Sequence, residues 1–204
     1  RTVIPMGVPD PRVFVRTPIP PIEGEFRILY LGRLDPEKGV KTLIDSLNGW
    51  ADPTVTLRIL GSGTDRPHLE RFANALLNVT TRVEGEASLL QSQEAFSWSH
   101  PVVIPSLTTP SWKEQWGRVP VEAILSGRPC LVSNSGELPN ISPVDISIFR
   151  EGDWRQLRLK INQLSANHDL LVGLAQAQYK TAMRFSPDHL ANQRRAFWAR
   201  CLQS

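Results

Sequence analysis

With 204 residues, 41% of them hydrophobic and 21% charged, the chain has the composition of ordinary globular material and enough length to bury a real core. A formal net charge of +3 is too mild for a clustered nucleic-acid-binding face, so no nucleic acid partner is expected, whereas a small anionic ligand suits it. The two cysteines, Cys130 and Cys201, have neither disulfide-framework nor metal-ligand spacing, and no apolar run is long enough to span a membrane, so a reducing, cytoplasmic setting is the expectation.

The first 25 residues hold six prolines, Pro5, Pro9, Pro11, Pro18, Pro20 and Pro21, which rule out a helix or central strand. Residues 1–24 therefore read as a stiff interdomain linker. From Arg27 the pattern becomes regular. Arg27–Leu31 is a strand, Gly32–Gly39 the turn after it, with Asp35 as N-cap and Pro36 at the first helical position. Val40, Leu43, Ile44 and Leu47 give the stripe of an amphipathic helix. Val55–Leu60 is the second strand, ending at Gly61-Ser62-Gly63, and residues 65–77 form a helix with Leu69, Phe72, Ala73 and Leu76 on one face. A weaker strand at Val79–Val83 and a short helix over 86–98 follow.

Val102-Val103-Ile104 is short and apolar enough for a buried strand. A Ser, Thr and Pro loop leads to a helix starting near Gly117 and closing at Ser126-Gly127, and Pro129–Val132 reads as the next strand. Ile146–Phe149 makes a last strand; the remainder is helical, with stripes through Trp154, Leu157, Ile161 and Leu164, then Leu170, Leu171, Leu174 and Ala175 behind an Asn167 cap. Residues 186–204 form a terminal helix, expected to turn Leu190, Phe197 and Cys201 inward. Strands alternating with helices imply right-handed βαβ units. The fold class is therefore α/β, a doubly wound parallel sheet of about six strands with helices on both faces. In such sheets ligands bind beyond the C-terminal strand ends.

Two of those ends carry chemistry. After the first strand, Arg33 and Lys38 stand next to a helix start, where cations and backbone amides suit a phosphate or diphosphate. Neither the Rossmann glycine fingerprint nor a Walker loop is present, which excludes those two nucleotide classes. Ahead of the other helix, Glu114 lies in the loop and Glu122 eight residues on, inside the helix. If both face one cleft they can accept hydrogen bonds from vicinal hydroxyls. Equally, acidic residues there can merely satisfy the helix dipole, and spacing does not decide. The N–H groups of Gln115, Trp116, Gly117 and Arg118 can bind ligand oxygens. His68, His100, His168 and His189 are scattered with no metal-like pair, and no nucleophilic triad is readable.

GRLDPEKGV, ILGSG, VVIPS and EQWGRVPVEAILSGRPCLVSNSGELPNI together resemble the C-terminal, donor-binding domain of retaining GT-B-fold glycosyltransferases of the "glycosyl transferases group 1" type. The Glu114-x7-Glu122 spacing is that family's hallmark, and the Gly-Arg-Leu turn ending in Lys-Gly is its second sign; the likeness runs from Ile4-Pro5-Met6-Gly7-Val8 to the terminal helix. The resemblance implies a Rossmann-like half of a GT-B fold that binds a nucleotide-diphosphate sugar without metal or other cofactor. Arg33 and Lys38 would hold the diphosphate, Glu114 the transferred sugar and Glu122 the ribose. Amides from Gln115 to Arg118 would meet sugar or phosphate oxygens, Gly32 and Gly61 would shape the turns, and the turn from Gly85 to Ala87 would lie near the base. Ser99-His100 replaces a common Ala-Asp pair, read as neutral. The implied activity is transfer of a hexosyl unit, with retention, to a polysaccharide, glycolipid or other hydroxyl acceptor. It also implies a separate N-terminal acceptor-binding domain, so this chain alone is expected to bind donor yet transfer poorly. A stand-alone binding module and a sugar-nucleotide epimerase are the alternatives. Arg194, Arg195 and Arg200 allow peripheral contact with an anionic membrane, though a solvated face also explains them.

Overall fold

The computed structural model describes residues 13–51 and 53–202. The six strands are β1 (Glu25–Leu31), β2 (Thr54–Leu60), β3 (Val79–Glu84), β4 (Val102–Ile104), β5 (Cys130–Ser133) and β6 (Ile148–Phe149). They form one sheet in the order β3-β2-β1-β4-β5-β6, with every pairing parallel. The helices are α1 (Val40–Leu47), α2 (Arg66–Asn74), α3 (Leu89–Trp98), α4 (Arg118–Leu125), α5 (Leu138–Ile141), α6 (Trp154–Ser165), α7 (His168–Ala182) and α8 (Pro187–Cys201).

The central strands carry apolar residues at successive positions because both sheet faces are covered. Ile28, Tyr30, Val103 and Leu131 join one core with α1, α2, α6 and α7, which also holds Leu43, Leu47, Leu69, Leu157 and Leu171. Leu29, Val102, Ile104, Cys130 and Val132 point the other way, into a second core with Phe96, Val121 and Ile124. Each such side chain contributes about 1.5–3 kcal/mol on burial, so the strand ends are held by packing on two sides. Chain order reverses between β1 and β4, and ligands of open α/β sheets bind at that crevice.

Four expectations are corrected. Residues 65–77 shorten to Arg66–Asn74, and Phe72 is 45% exposed under the ammonium of Lys41 instead of packing inward. The strand expected at 146–149 keeps only Ile148–Phe149, since residues Asp145–Ser147 close a 3₁₀ turn. On α8, Leu190 is buried but Phe197 is half-buried and Cys201 exposed, because little of the fold lies against its second half. Asp35 does sit at the N-cap position of the turn Pro36–Lys38, but its side chain caps nothing there.

The linker prolines Pro5, Pro9 and Pro11 and the segment Ile4–Val8 lie outside the described residues. The part that is described, 13–24, is gripped by the domain. Phe14 enters the second core. The fully buried Arg128 donates to the carbonyls of Phe96 at 2.5 Å, Thr17 at 2.9 Å, Pro18 at 3.0 Å and Ser97 at 3.1 Å. His100 and His168 both point Nε2 at the Pro20 carbonyl, at 3.1 and 3.2 Å. The other nitrogen of His100 accepts the Arg27 N–H at 2.8 Å, which fixes the neutral Nε2–H tautomer, and its ring stacks on Phe26. Burial, then the Arg27 charge, lowers the His100 pKa to about 4. The position read as neutral is thus a structural one.

Candidate functional site

The turn after β1 and the loop after β4 meet across the switch point. Leu107 donates its N–H to the Glu37 carbonyl at 2.8 Å, tying the two segments together. Lys38 then reaches the other segment directly: its Nζ lies 2.8 Å from Glu114 Oε2 and 4.4 Å from the centre of the Trp112 ring. Ser106 donates to the same carboxylate oxygen at 3.1 Å. Both Lys38 and Glu114 are largely buried, so this pair is screened less than a surface ion pair would be. They share a cleft of about 450 Å³ whose wall includes Tyr30, Arg33, Ser106 and the segment Trp116–Pro120.

Arg33 is more open, with 60% of its side chain exposed, and is held by Asp35 at 2.6 Å and Glu37 at 3.1 Å. Tyr30 donates its buried hydroxyl to the Arg33 carbonyl at 2.5 Å, fixing the backbone that carries the guanidinium. Burial, reinforced by the Glu114 charge, pushes the Tyr30 phenol well above its ordinary range, so it serves as a neutral donor. Asp35 takes the N–H of Thr64 at 3.1 Å, and this bond leads the causes that hold its carboxyl below its usual value. Both cations therefore have carboxylate partners in the protein, and an anionic ligand enters by sharing them.

Glu114 is positioned through its backbone as well. Its carbonyl accepts the Glu137 N–H at 3.0 Å, and Gly136, at φ +55°, lies so close that an added Cβ would stand 1.8 Å from that oxygen. Glu122 differs: it is buried, accepts from Arg118 Nη2 at 3.0 Å, and is absent from the lining of the Glu114 cleft. The two carboxylates thus have different partners, and only Glu114 is in the wall of this cleft. Arg118 and Gly117 do line it, as does Trp116, whereas Gln115 is exposed and outside the lining.

A second cleft, of about 240 Å³, continues along the sheet edge and shares Leu31, Gly32 and Arg33 with the first. Gly32 and Gly61 form its floor. Their N–H groups are spent inside the fold, on the Leu60 and Glu84 carbonyls at 3.0 and 3.3 Å. Gly61 is required by close approach, since an added Cβ would lie 1.8 Å from the Gly32 oxygen. These two glycines shape the turns and lend no N–H to a ligand. Gly85 leads into the cleft, and the wall is supplied by Glu86 and Ala87 with Ser62 opposite. Sequence reasoning named neither Tyr30, Ser106 nor Ser62 as a site residue, and reached Glu86 only as part of the turn expected near the base. Of the first three only Ser106 carried a signal, as the hydroxyl directly after the β4 end. Among the described residues no group of three His, Cys, Asp or Glu is placed to hold a metal ion. No helix among them is long and apolar enough to cross a membrane.

The profile of the family described as Glycosyl transferases group 1 matches residues 15–181. No curated protein matches by sequence. Among solved structures, the catalytic domain of cholesterol-alpha-glucosyltransferase from Helicobacter pylori aligns at TM-score 0.70 and 20% identity, over 79% of this chain and 99% of that one. Sucrose-phosphate synthase (tll1590) from Thermosynechococcus elongatus aligns at TM-score 0.77 and 21% identity over 98% of this chain, which spans 52% of the synthase. Anabaena Alr3699/HepE in complex with UDP and glucose aligns at TM-score 0.72 and 20% identity over 87% of this chain and 49% of that protein. These likenesses show the fold: the six-stranded parallel sheet is the Rossmann-like half found in GT-B glycosyltransferases. The chain spans about half the length of the larger two proteins.

Proposed function

The chain belongs to the glycosyl transferases group 1 family, and we propose that it is the donor-binding half of an enzyme that transfers a hexosyl unit from a nucleotide-diphosphate sugar to a hydroxyl acceptor. The observation that carries this reading is the convergence of Arg33, Lys38 and Glu114 from two strand ends on one cleft at the switch point. The complex of Alr3699/HepE with UDP supports a nucleotide donor.

Cleavage of the sugar–phosphate bond leaves negative charge on the departing diphosphate. Arg33 and Lys38 lie where two positive charges can meet it, and preorganised charge of this kind lowers the barrier most in a site that excludes water. The N–H groups at the start of α4 add their dipole toward the same cleft. Lys38 then bridges the diphosphate and Glu114, so that Glu114 is held by Ser106 and Lys38 while its carboxylate accepts from hydroxyls of the transferred sugar. No metal is needed in this scheme, since the cations supply its charge. Glu122 would reach a ribose through the displacement of Arg118 from its carboxylate.

Retention of anomeric configuration is the stereochemistry we propose from the family resemblance. The acceptor side of the cleft would come from a second domain, and this chain alone would bind donor with little transfer. A polysaccharide or glycolipid acceptor at the cytoplasmic face of a membrane fits α8, where Trp198 is 63% exposed beside Arg194, Arg195 and Arg200 and is followed by Leu202, 86% exposed, just past the helix end. The test is Glu114→Ala in an enzyme that contains both halves, followed by product analysis with NMR of the new anomeric centre. Transfer should fall by on the order of a hundredfold or more with nucleotide affinity nearly kept. Near-normal turnover would remove Glu114 from the mechanism, and an inverted product would overturn retention.

A further inference from the structure

Resting on that reading, we propose that the base selected by this site is guanine and that Glu86 is the residue that reads it. The second cleft is joined to the first through Leu31, Gly32 and Arg33, so a nucleoside placed there carries its diphosphate toward Arg33 and Lys38.

The polar groups around this cleft have a marked bias. The Gly32 and Gly61 N–H groups are committed to the Leu60 and Glu84 carbonyls. The Ser62 hydroxyl is donated to Glu86 Oε1, and the Ser62 carbonyl accepts from Leu34 at 2.7 Å. Glu84, the other carboxylate at this strand end, is spent on a two-pronged pair with Arg58 at 2.8 and 3.0 Å. Glu86 remains. A carboxylate accepts only, with about four lone-pair sites, and Ser62 uses one while holding the group in place. Apart from the Arg33 guanidinium, which is already paired with Asp35 and Glu37 at the end shared with the first cleft, the side chains of this cleft thus offer the Glu86 carboxylate as acceptor, between apolar walls formed by Leu31, Leu60 and Ala87.

A carboxylate is best satisfied by two donors side by side. Guanine presents such a pair, its ring N1–H and its exocyclic amino group. Uracil offers one N–H between two carbonyl oxygens, which a carboxylate repels. The amino groups of adenine and cytosine are flanked by ring nitrogens that also accept. Only guanine meets Glu86 with both oxygens engaged and no lone pair opposed.

The experiment is titration calorimetry of this chain with GDP, UDP and ADP, repeated with Glu86→Gln. Glu86 is exposed and makes no core contact, so the variant should keep its melting temperature. GDP is expected to bind on the order of ten- to a hundredfold more tightly than UDP or ADP, and Glu86→Gln should erase that margin. UDP or ADP binding as tightly as GDP would overturn the proposal while leaving the nucleotide-sugar reading intact. A guanine preference that survives Glu86→Gln would overturn the role of Glu86. Failure of all three diphosphates to bind would sink the donor-site reading, and this inference with it.

Discussion

Lys38 and Glu114 stand 76 residues apart in the chain and 2.8 Å apart in space, across the point where the sheet reverses its strand order. Each comes from a different βα connection, so neither strand end alone makes the site. The pair also sets what an incoming anion must do, since the ammonium is already shared between a carboxylate and the Trp112 face.

Removing the ammonium should therefore separate diphosphate binding from nucleoside binding. Lys38→Met, which keeps the stem under Trp112, is expected to weaken a nucleoside diphosphate by on the order of tenfold or more and the bare nucleoside little. Arg33→Ala should act in the same direction. Calorimetry with both ligands checks this, and equal losses for the two would speak against a diphosphate at Lys38.

Gly136 gives access to Glu114 without touching its side chain. At φ +55°, with Glu114 O at 1.8 Å from an added Cβ, Gly136→Ala must displace the loop. The expected cost is about 1–3 kcal/mol, read by denaturant unfolding, together with a loss of transfer in the two-domain enzyme. Unchanged stability would mean that the loop yields freely and that its backbone does not fix Glu114.

The buried His100 predicts an acid limb of stability. Its pKa is lowered to about 4 from an ordinary value near 6.5, so between those values the unfolded chain binds a proton that the folded chain does not. Stability should be full above about pH 6.5 and decline toward pH 4, by about 1–3 kcal/mol from this group. Glu25 and Glu84 also have lowered values and lose their contribution at still lower pH, since each starts from 4.5. Denaturant midpoints from pH 7 to 4.5 test the point. His100→Gln should flatten that part of the profile, and an unaltered slope would assign the decline elsewhere.

Arg128 should be among the costliest positions to change. Arg128→Met takes the guanidinium donor from the carbonyls of Thr17, Pro18 and Ser97, whereas that of Phe96 still accepts from Ser99. Unsatisfied buried acceptors cost about 1–3 kcal/mol each before relaxation, and a net loss of about 3–5 kcal/mol is expected. A melting temperature within a degree or two of the parent would show that water replaces the guanidinium easily.

The sheet was legible because its signals are local. Val102–Ile104 is a strand because three apolar residues stand between His100-Pro101 and Pro105, and Gly127 closes α4 at φ +84° as a helix-ending glycine should. Phe72 and Phe197 were misplaced for the opposite reason: helical spacing defines a face, but only the neighbouring elements decide whether it is covered. Arg33, Lys38 and Glu114 could be found since each sits at a strand end that the alternation had located. The Ser62–Glu86 bond and the Arg128 clasp join segments that sequence gives no means of pairing, and a buried cation without a carboxylate is not announced by its flanks. Glu122 was different again. Its four-residue spacing from Arg118 is visible in the chain, and it foretells an ion pair as readily as a ligand contact.

The clasp on Thr17, Pro18 and Pro20 also has a mechanical meaning. A guanidinium and two imidazoles hold the carbonyls of Thr17, Pro18 and Pro20 in the entering segment, which ties this stretch to the sheet at three points. A domain joined ahead of Phe14 would be coupled to a fixed exit point and could not swing about the prolines at 18, 20 and 21.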